Sequence, residues 1–569
     1  MSTSLPPAER RRSATGQPPT ADRRQPDRAA PLGGNPGRGA TGRARLLTLG
    51  VLGCLAVGSG AGLAAGLVSC AAPGPSDPAR ALTAAEADRL AAMRITNHRA
   101  GRVGVHATLG SPGTQIELTG TVDWPRGLAY LSVTGPGAGT QRGLLQAVPG
   151  LVLSRPDPAA GPDRTGGGPG PLPALVPPAP APPPPATPPG DGWRARRMVT
   201  GGPVPAAVDS FLTLLFTVAA DRPDPTGPLL TRDTARWLGR DRVDGTTVDV
   251  LLGPAVPALT PNPDPATGGA TPAPLAGGPA GGAVRYWLDR DGRLHRFEAL
   301  LAGDVPVQVD LDRAERPELT AVAALGGAPA QPRAATRAEA DLLARVRTAN
   351  RALGGAEITL AVPTTAPVPE LPAVNLRAAG WVDWSDGVAY LAVHELDRPG
   401  ERTLIRANRT GVAVRDVPSS PSTKGSTGPA SDRPPGAAGA VPPPLPPPRD
   451  RHWEQLSWQQ RTDAHGAPDL DLLLNEALAI GGAGLGPVQR LRDSASRLRQ
   501  DRLDGRPVTV FEIPKEAEAG VGRGEARLRY WVDATGLLRR LELRTRTGAF
   551  AQLDLTPGPV PALPAVPLR

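Results

Sequence analysis

Few residues in this chain have the types and spacing that chemistry requires. Asp289-Arg290-Asp291-Gly292 has the opening pattern of a calcium loop, alternating carboxylates before a glycine. The remaining ligands and the distal glutamate are missing, and the counterpart further along is Asp533-Ala534-Thr535-Gly536, so a hairpin turn explains the run better. The six histidines (His98, His106, His295, His394, His452, His465) show neither an H-E-x-x-H pattern nor close pairing. There is no nucleophile elbow outside an apolar N-terminal segment, no Walker A loop and no dinucleotide fingerprint. The expectation is a protein that is not an enzyme, with no cofactor and no metal. The sharper candidates are aromatic. Trp124, Tyr130 and Trp287, with Trp384, Tyr390 and Trp531, recur at matched places and are candidates for lining a ligand cavity. The competing reading of Asp123-Trp124 and Asp383-Trp384 is a turn aspartate followed by a core tryptophan. Arginine clusters (Arg194, Arg196, Arg197; Arg490, Arg492, Arg497, Arg499) suit anionic head groups or, alternatively, a solvated face with snorkelling stems.

These candidates belong to a tandem duplication. The fifteen residues from Thr83 to Asn97 recur from Thr336 to Asn350 with nine identities. GTVDWPRGLAYLSV from Gly120 recurs as GWVDWSDGVAYLAV from Gly380, nine of fourteen identical, at an offset of 260. That offset also pairs Trp193 with Trp453, Asp209 with Asp469, and DRVDG from Asp241 with DRLDG from Asp501. RYWLDRDGRLHRFE from Arg285 then recurs as RYWVDATGLLRRLE from Arg529 with eight of fourteen identical. All four tyrosines (Tyr130, Tyr286, Tyr390, Tyr530) lie in these motifs.

Each copy opens with an amphipathic helix, with Leu90, Met93 and Asn97, or Leu343, Val346 and Asn350, at helical spacing. Thr83 with Glu86, and Thr336 with Glu339, form capping-box patterns. Strand-like runs follow, then a proline-rich interruption that predicts an exposed polyproline-like loop. A second apolar helix (Phe211, Leu212, Leu214, Leu215, Phe216; Leu472, Leu473, Leu474, Leu478) and closing strands complete the copy.

Composition sets the compartment. Of 569 residues, 69 are Gly and 71 Pro, so packed domains must alternate with low-complexity stretches. The net charge of +9 invites a nucleic-acid reading, but residues 1–45 hold nine Arg against three acids and supply +6 of it. The body is close to neutral, and no nucleic-acid partner is expected. The 27 residues from Leu46 to Ala72 carry no charge and are long enough to cross a bilayer. The arginine-rich side precedes them, which leaves the N-terminus cytoplasmic and the bulk of the chain extracytoplasmic at the cell membrane. Leu67-Val68-Ser69-Cys70 is also lipobox-like, so Cys70 is a lipidation candidate; an uncleaved anchor is the competing reading. The two cysteines, Cys54 and Cys70, both lie here, so the exported part has no disulfide.

The late hairpin, Tyr286-Trp287 with Asp289, Gly292, Leu294 and Arg296, and Tyr530-Trp531 with Asp533, Gly536, Leu538 and Arg540, resembles the LolA/LolB-like superfamily, in particular actinobacterial LppX/LprG-type envelope lipoproteins. The resemblance implies an α+β fold in which each copy is an antiparallel half-barrel covered by helices, with an apolar cavity for lipid or a lipoprotein. It carries no catalytic residues. The expected organisation is a basic tail (1–45), the anchor or signal segment (46–72), a tether (73–81), a first repeat (82–314), a linker (315–333) and a second repeat (334–569). Proline- or glycine-rich loops are expected near 155–192, 254–283 and 416–450. The expected function is a membrane-anchored lipid or apolar-ligand carrier; the alternative is an extracytoplasmic interaction or sensor module without ligand.

Overall fold

A computed structural model describes residues 78–157, 182–199, 206–231, 235–254, 283–364, 374–417, 440–448, 452–460, 469–482, 484–515, 518 and 520–563. The anchor segment and Cys70 lie outside these residues. Among the described residues no helix is long and apolar enough to cross a membrane.

The first repeat contains strands β1 (Arg80–Ala81), β2 (Arg102–Leu109), β3 (Ile116–Asp123), β4 (Leu128–Thr134), β5 (Gly143–Val148), β6 (Leu151–Pro156), β7 (Arg194–Arg197), β8 (Arg236–Val243), β9 (Thr246–Pro254), β10 (Ala283–Leu288), β11 (Leu294–Leu301) and β12 (Val305–Asp312). Its helices are α1 (Ala84–Ala100), α2 (Ala207–Thr217) and the short α3 (Gly227–Thr231). The second repeat contains β13 (Arg333–Ala334), β14 (Gly355–Thr364), β15 (Val374–Asp383), β16 (Val388–Glu395), β17 (Arg398–Asn408), β18 (Gly411–Val417), β19 (Glu454–Ser457), β20 (Ser496–Leu503), β21 (Arg506–Glu512), β22 (Leu528–Asp533), β23 (Leu538–Arg544) and β24 (Phe550–Gly558). Its helices are α4 (Arg337–Ala352), α5 (Asp469–Gly482) and α6 (Val488–Ser494).

Each repeat builds one twelve-stranded antiparallel sheet, and the two orders are the same: β1-β8-β9-β10-β11-β12-β2-β3-β4-β5-β6-β7 and β13-β20-β21-β22-β23-β24-β14-β15-β16-β17-β18-β19. Two meanders therefore meet side by side, through β12 with β2 and through β24 with β14. Neither sheet closes on itself.

Local chemistry explains the elements. Thr83 and Thr336 cap α1 and α4 as the capping boxes predict, each with its N3 glutamate bonding back to the cap backbone. Leu90, Met93 and Asn97, and Leu343, Val346 and Asn350, are buried as helical spacing requires. Asn97 ties its helix to the following one through Nδ2 to the Val218 carbonyl at 2.7 Å. Asn350 accepts from the Leu538 backbone at 3.3 Å. Gly120 and Gly380 lie where a Cβ would meet the carbonyl oxygen of Tyr130 or Tyr390 at 2.1 Å, so close strand approach requires glycine at both.

Strand alternation splits the apolar residues between two faces. One face packs on the helices: Ala129, Leu131 and Val133 of β4 join Leu90, Met93, Phe211 and Leu215 in a single cluster, and Ala389, Leu391 and Val393 of β16 join Leu343, Leu473 and Leu478 in its counterpart. The other face holds smaller clusters, which the segments between and after the repeats cover.

The stretch read as a linker is packed. Leu319, Ala321 and Val322 cover Leu128, Tyr130 and Leu153 on the outer face of the first sheet. Gln146 fastens this segment at both ends of its amide, donating to the Thr320 carbonyl and accepting from the Val322 backbone, each at 2.9 Å. Leu563, beyond β24, lies in the corresponding cluster of the second repeat with Tyr390 and Leu404.

The repeats also meet at a sheet edge. Ala195 in edge strand β7 turns its N–H and C=O toward Asn375 of β15, whose side-chain amide pairs with both at 2.9 and 3.4 Å. Arg377 donates to the Trp193 carbonyl at 3.0 Å, and Arg194 pairs with Asp397 at 2.6 Å. Unpaired strand edges invite foreign strands, and here the neighbouring repeat occupies the edge.

Candidate functional site

The structure divides the six aromatic candidates. Trp124 and Trp384 face the helices, each opening the turn after its strand, and their indole N–H groups donate to the carbonyls of Leu215 and Ala477 at 3.0 Å. They are core tryptophans with satisfied polar ends. Tyr130, Tyr390, Trp287 and Trp531 belong to the clusters of the opposite face. The reason is the strand period: Tyr286 and Tyr530 point inward, so the adjacent Trp287 and Trp531 point outward.

In the first repeat a cavity of about 20 Å³ lies among Leu90, Met93, Val218, Leu229 and Tyr286, room for roughly one water molecule. Tyr286 closes it from the sheet, donating to the Pro254 carbonyl at 2.9 Å, and burial pushes its hydroxyl well above the usual range. In the second repeat Tyr530 donates to Glu476 at 2.8 Å, and Lys515 pairs with the other oxygen of that carboxylate at 2.7 Å. A wider cleft of about 340 Å³ opens at the end of the second sheet, near Arg351, Asp386 and Arg409. Its polar lining comes from Arg351, Ser385, Asp386, Asn408, Arg409 and Thr410, and the Asn408 oxygen already accepts from the Thr410 backbone, the Thr410 hydroxyl and the Gly411 backbone.

The calcium-like run is a turn. The Asp289 carboxylate accepts from the Asp291 and Arg293 backbones at 2.9 Å and meets His295 at 3.2 Å. Asp533 does the same with Thr535, Leu537 and Arg539. Burial works against ionisation at both, yet these donors hold both carboxyls below the usual range. Among the described residues no group of three His, Cys, Asp or Glu is placed to hold a metal. Two arginines of the first cluster are committed: Arg196 clamps the buried Asp209 of α2 with two contacts of 2.6 Å, and Arg194 is paired across the repeats.

The outer faces are more distinctive. On each, a strand tyrosine and a tryptophan just before the last edge strand share one cluster: Tyr130 with Trp193, and Tyr390 with Trp453. A proline-rich segment is seated on each pair. Trp193 donates its indole N–H to the Pro189 carbonyl at 2.6 Å, and Trp453 donates to Pro448 at 3.1 Å. Tyr390 adds a bond to the Pro444 carbonyl at 3.1 Å. Burial pushes both tyrosine hydroxyls up to about 12, so both remain donors at neutral pH. Arg406 lies over the Trp453 ring at 5.5 Å. Of the segment expected to be exposed in the second repeat, Val441, Pro444, Leu445 and Pro446 are exposed and Pro443 and Pro447 are buried. The pairing of Trp193 with Trp453 was visible in the sequence; their bonds to prolines four and five residues earlier were not, because periodicity does not show where an indole N–H points.

The outer face of the second repeat also holds a buried charge cluster around Trp531. The Arg499 and Arg540 guanidinium groups lie 5.2 and 5.1 Å from its ring centre. Arg540 pairs with Asp554, and Arg529 lies over Phe550 at 4.1 Å and donates to the Gly326 carbonyl. Burial pushes the Glu512 and Glu542 carboxyls up and the Arg529 guanidinium down. No family model matches the chain, and a comparison with curated proteins finds no relative.

Proposed function

We propose that this chain is a non-enzymatic, extracytoplasmic interaction module of two LolA-like repeats, held at the membrane by residues 46–72, with its working surfaces on the outer faces of the sheets. The observation that carries this reading is the small size of the cavity found under the helices of the first repeat. A site that encloses a small ligand occupies roughly 300–1,000 Å³, and the cavity there is about 20 Å³. Burying an acyl chain at about 0.8 kcal/mol per methylene requires room for the methylenes. The outer faces instead carry rigid aromatic side chains with polar tips, mostly buried beneath the chain's own segments, a composition favoured at protein interfaces.

Native mass spectrometry of the segment Asp77–Arg569, which forms one compact unit, tests this reading. Exported from a bacterial host and purified without detergent, it is expected to show the apo mass. One or two lipid adducts per chain would establish the carrier reading in its place.

A further inference from the structure

We propose that the tyrosine–tryptophan platform on the outer face of the second repeat is a polyproline-recognition site, held shut by the chain's own residues 442–448 and open to a proline-rich segment of a partner protein when these leave. The proposal deepens the interaction reading and rests on it.

Polyproline segments lack backbone N–H groups and internal hydrogen bonds, so their carbonyls are free to accept. Proteins that bind them use aromatic-lined grooves. The second repeat presents those parts. Trp453 and Tyr390 donate to the carbonyls of Pro448 and Pro444, four residues apart. Pro447, between these anchor points, and Pro443, just before the first, are buried, while Pro444, Leu445 and Pro446 are exposed. The segment bends away from the sheet at Leu445 and Pro446 and returns to it at Pro447. The ligand makes no strand pairing with the sheet, since β19 already pairs with β18 on the near side.

The first repeat supplies an independent observation. Its segment 182–189 satisfies Trp193 through Pro189, yet the Tyr130 hydroxyl is buried with no hydrogen-bond partner. The equivalent hydroxyl of the second repeat holds Pro444. The same platform therefore stands in two states of occupancy within one chain, fully engaged in one copy and half engaged in the other. A recognition surface with a loosely fitted internal ligand accounts for the difference.

The test uses the full chain and a labelled peptide, Val-Pro-Pro-Pro-Leu-Pro-Pro-Pro, copying residues 441–448. In one variant those residues are replaced by Gly and Ser at equal length, which empties the platform. Fluorescence anisotropy is expected to show one peptide bound per emptied chain, with wild type weaker by roughly tenfold because the tethered segment competes at high effective concentration. In the emptied chain, Trp453→Leu is expected to weaken binding by roughly tenfold, and Tyr390→Phe by about fivefold. If the replacement does not fold, the double variant Pro443→Gly, Pro447→Gly gives the same comparison through a loosened segment. A folded, emptied chain that ignores the peptide, or one that binds it regardless of Trp453→Leu, overturns the proposal. So does a wild-type dimer that dissolves when residues 441–448 are replaced, since that assigns the platform to exchange between copies. Lipid adducts on Asp77–Arg569 would remove the interaction reading without altering this titration, whereas absent peptide binding by a lipid-free chain removes the polyproline assignment alone.

Discussion

The two repeats agree beneath their helices and differ on the outer face. The capping boxes, the helix asparagines, the inward tyrosines and the close-approach glycines recur position for position. Outside, the ladder Arg529–Glu542 is buried, while its first-repeat counterpart, Arg285–Glu298, stands 58% and 29% exposed at 3.5 Å. Phe550, which covers Arg529, is replaced by Pro306, and Glu512 by Leu252. The residues before β13 supply the rest of the cover, with Ala330 packed near Trp531. One patterned face is enough to specify this sheet, which leaves the second face to adapt to whatever lies against it.

The largest expected effect tests that contrast directly. Arg540→Met removes a cation from the buried cluster and strands Asp554 and Glu542, which should cost about 3–5 kcal/mol. Arg296→Met, at the equivalent position with a pair roughly one-third exposed, should cost under about 1 kcal/mol. Denaturant midpoints of the two variants check this, and equal losses would break the comparison.

A middle-sized effect belongs to the joint between the repeats. Asn375→Leu leaves the Ala195 N–H and C=O without their side-chain partner, at an expected cost of about 1–3 kcal/mol. Unfolding should then separate into two transitions, because Asn375 couples the second repeat to the edge of the first. The position corresponding to Asn375 in the first repeat is Gln115, which donates to its own neighbour Glu117, and Gln115→Leu should leave the unfolding profile as it was.

The smallest effect should be the same in both copies. The side-chain bond from Arg80 holds the Glu86 carboxyl down at about 2, against an ordinary 4.5. Burial opposes ionisation of Glu339, but Arg333 and the Thr336 backbone hold it below its usual range. A lowered folded-state value gives stability that is present above pH 4.5 and lost as pH falls toward about 2. Because the arginine partners are partly exposed, each contribution should be about 1 kcal/mol. Glu86→Gln and Glu339→Gln should each flatten the acid limb of a stability–pH curve by a similar amount.

Much of the fold was legible in the sequence for local reasons. Helix caps, hairpin turns and strand alternation depend on residues a few positions apart, so Thr83-x-x-Glu86 and Asp289-x-x-Gly292 could be read directly. Duplication made the reading firmer, since the paired motifs imposed the same order on both copies. The placement of the aromatic candidates was less legible. Tyr286 and Trp287 are both apolar neighbours in one strand, and nothing in that run says which faces the helices.

The sequence by itself determined that two like units follow an arginine-rich start and an uncharged segment, and where their first helices are capped. Tertiary structure alone decided which face of each sheet carries Tyr390 and Trp453, that residues 319–325 form part of the packing, and that Asn375 meets Ala195. The last two depend on contacts between residues more than a hundred positions apart, and the first on Tyr390 meeting Pro444 across 54. Their energy comes from burial and edge pairing that exist only once both sheets are in place.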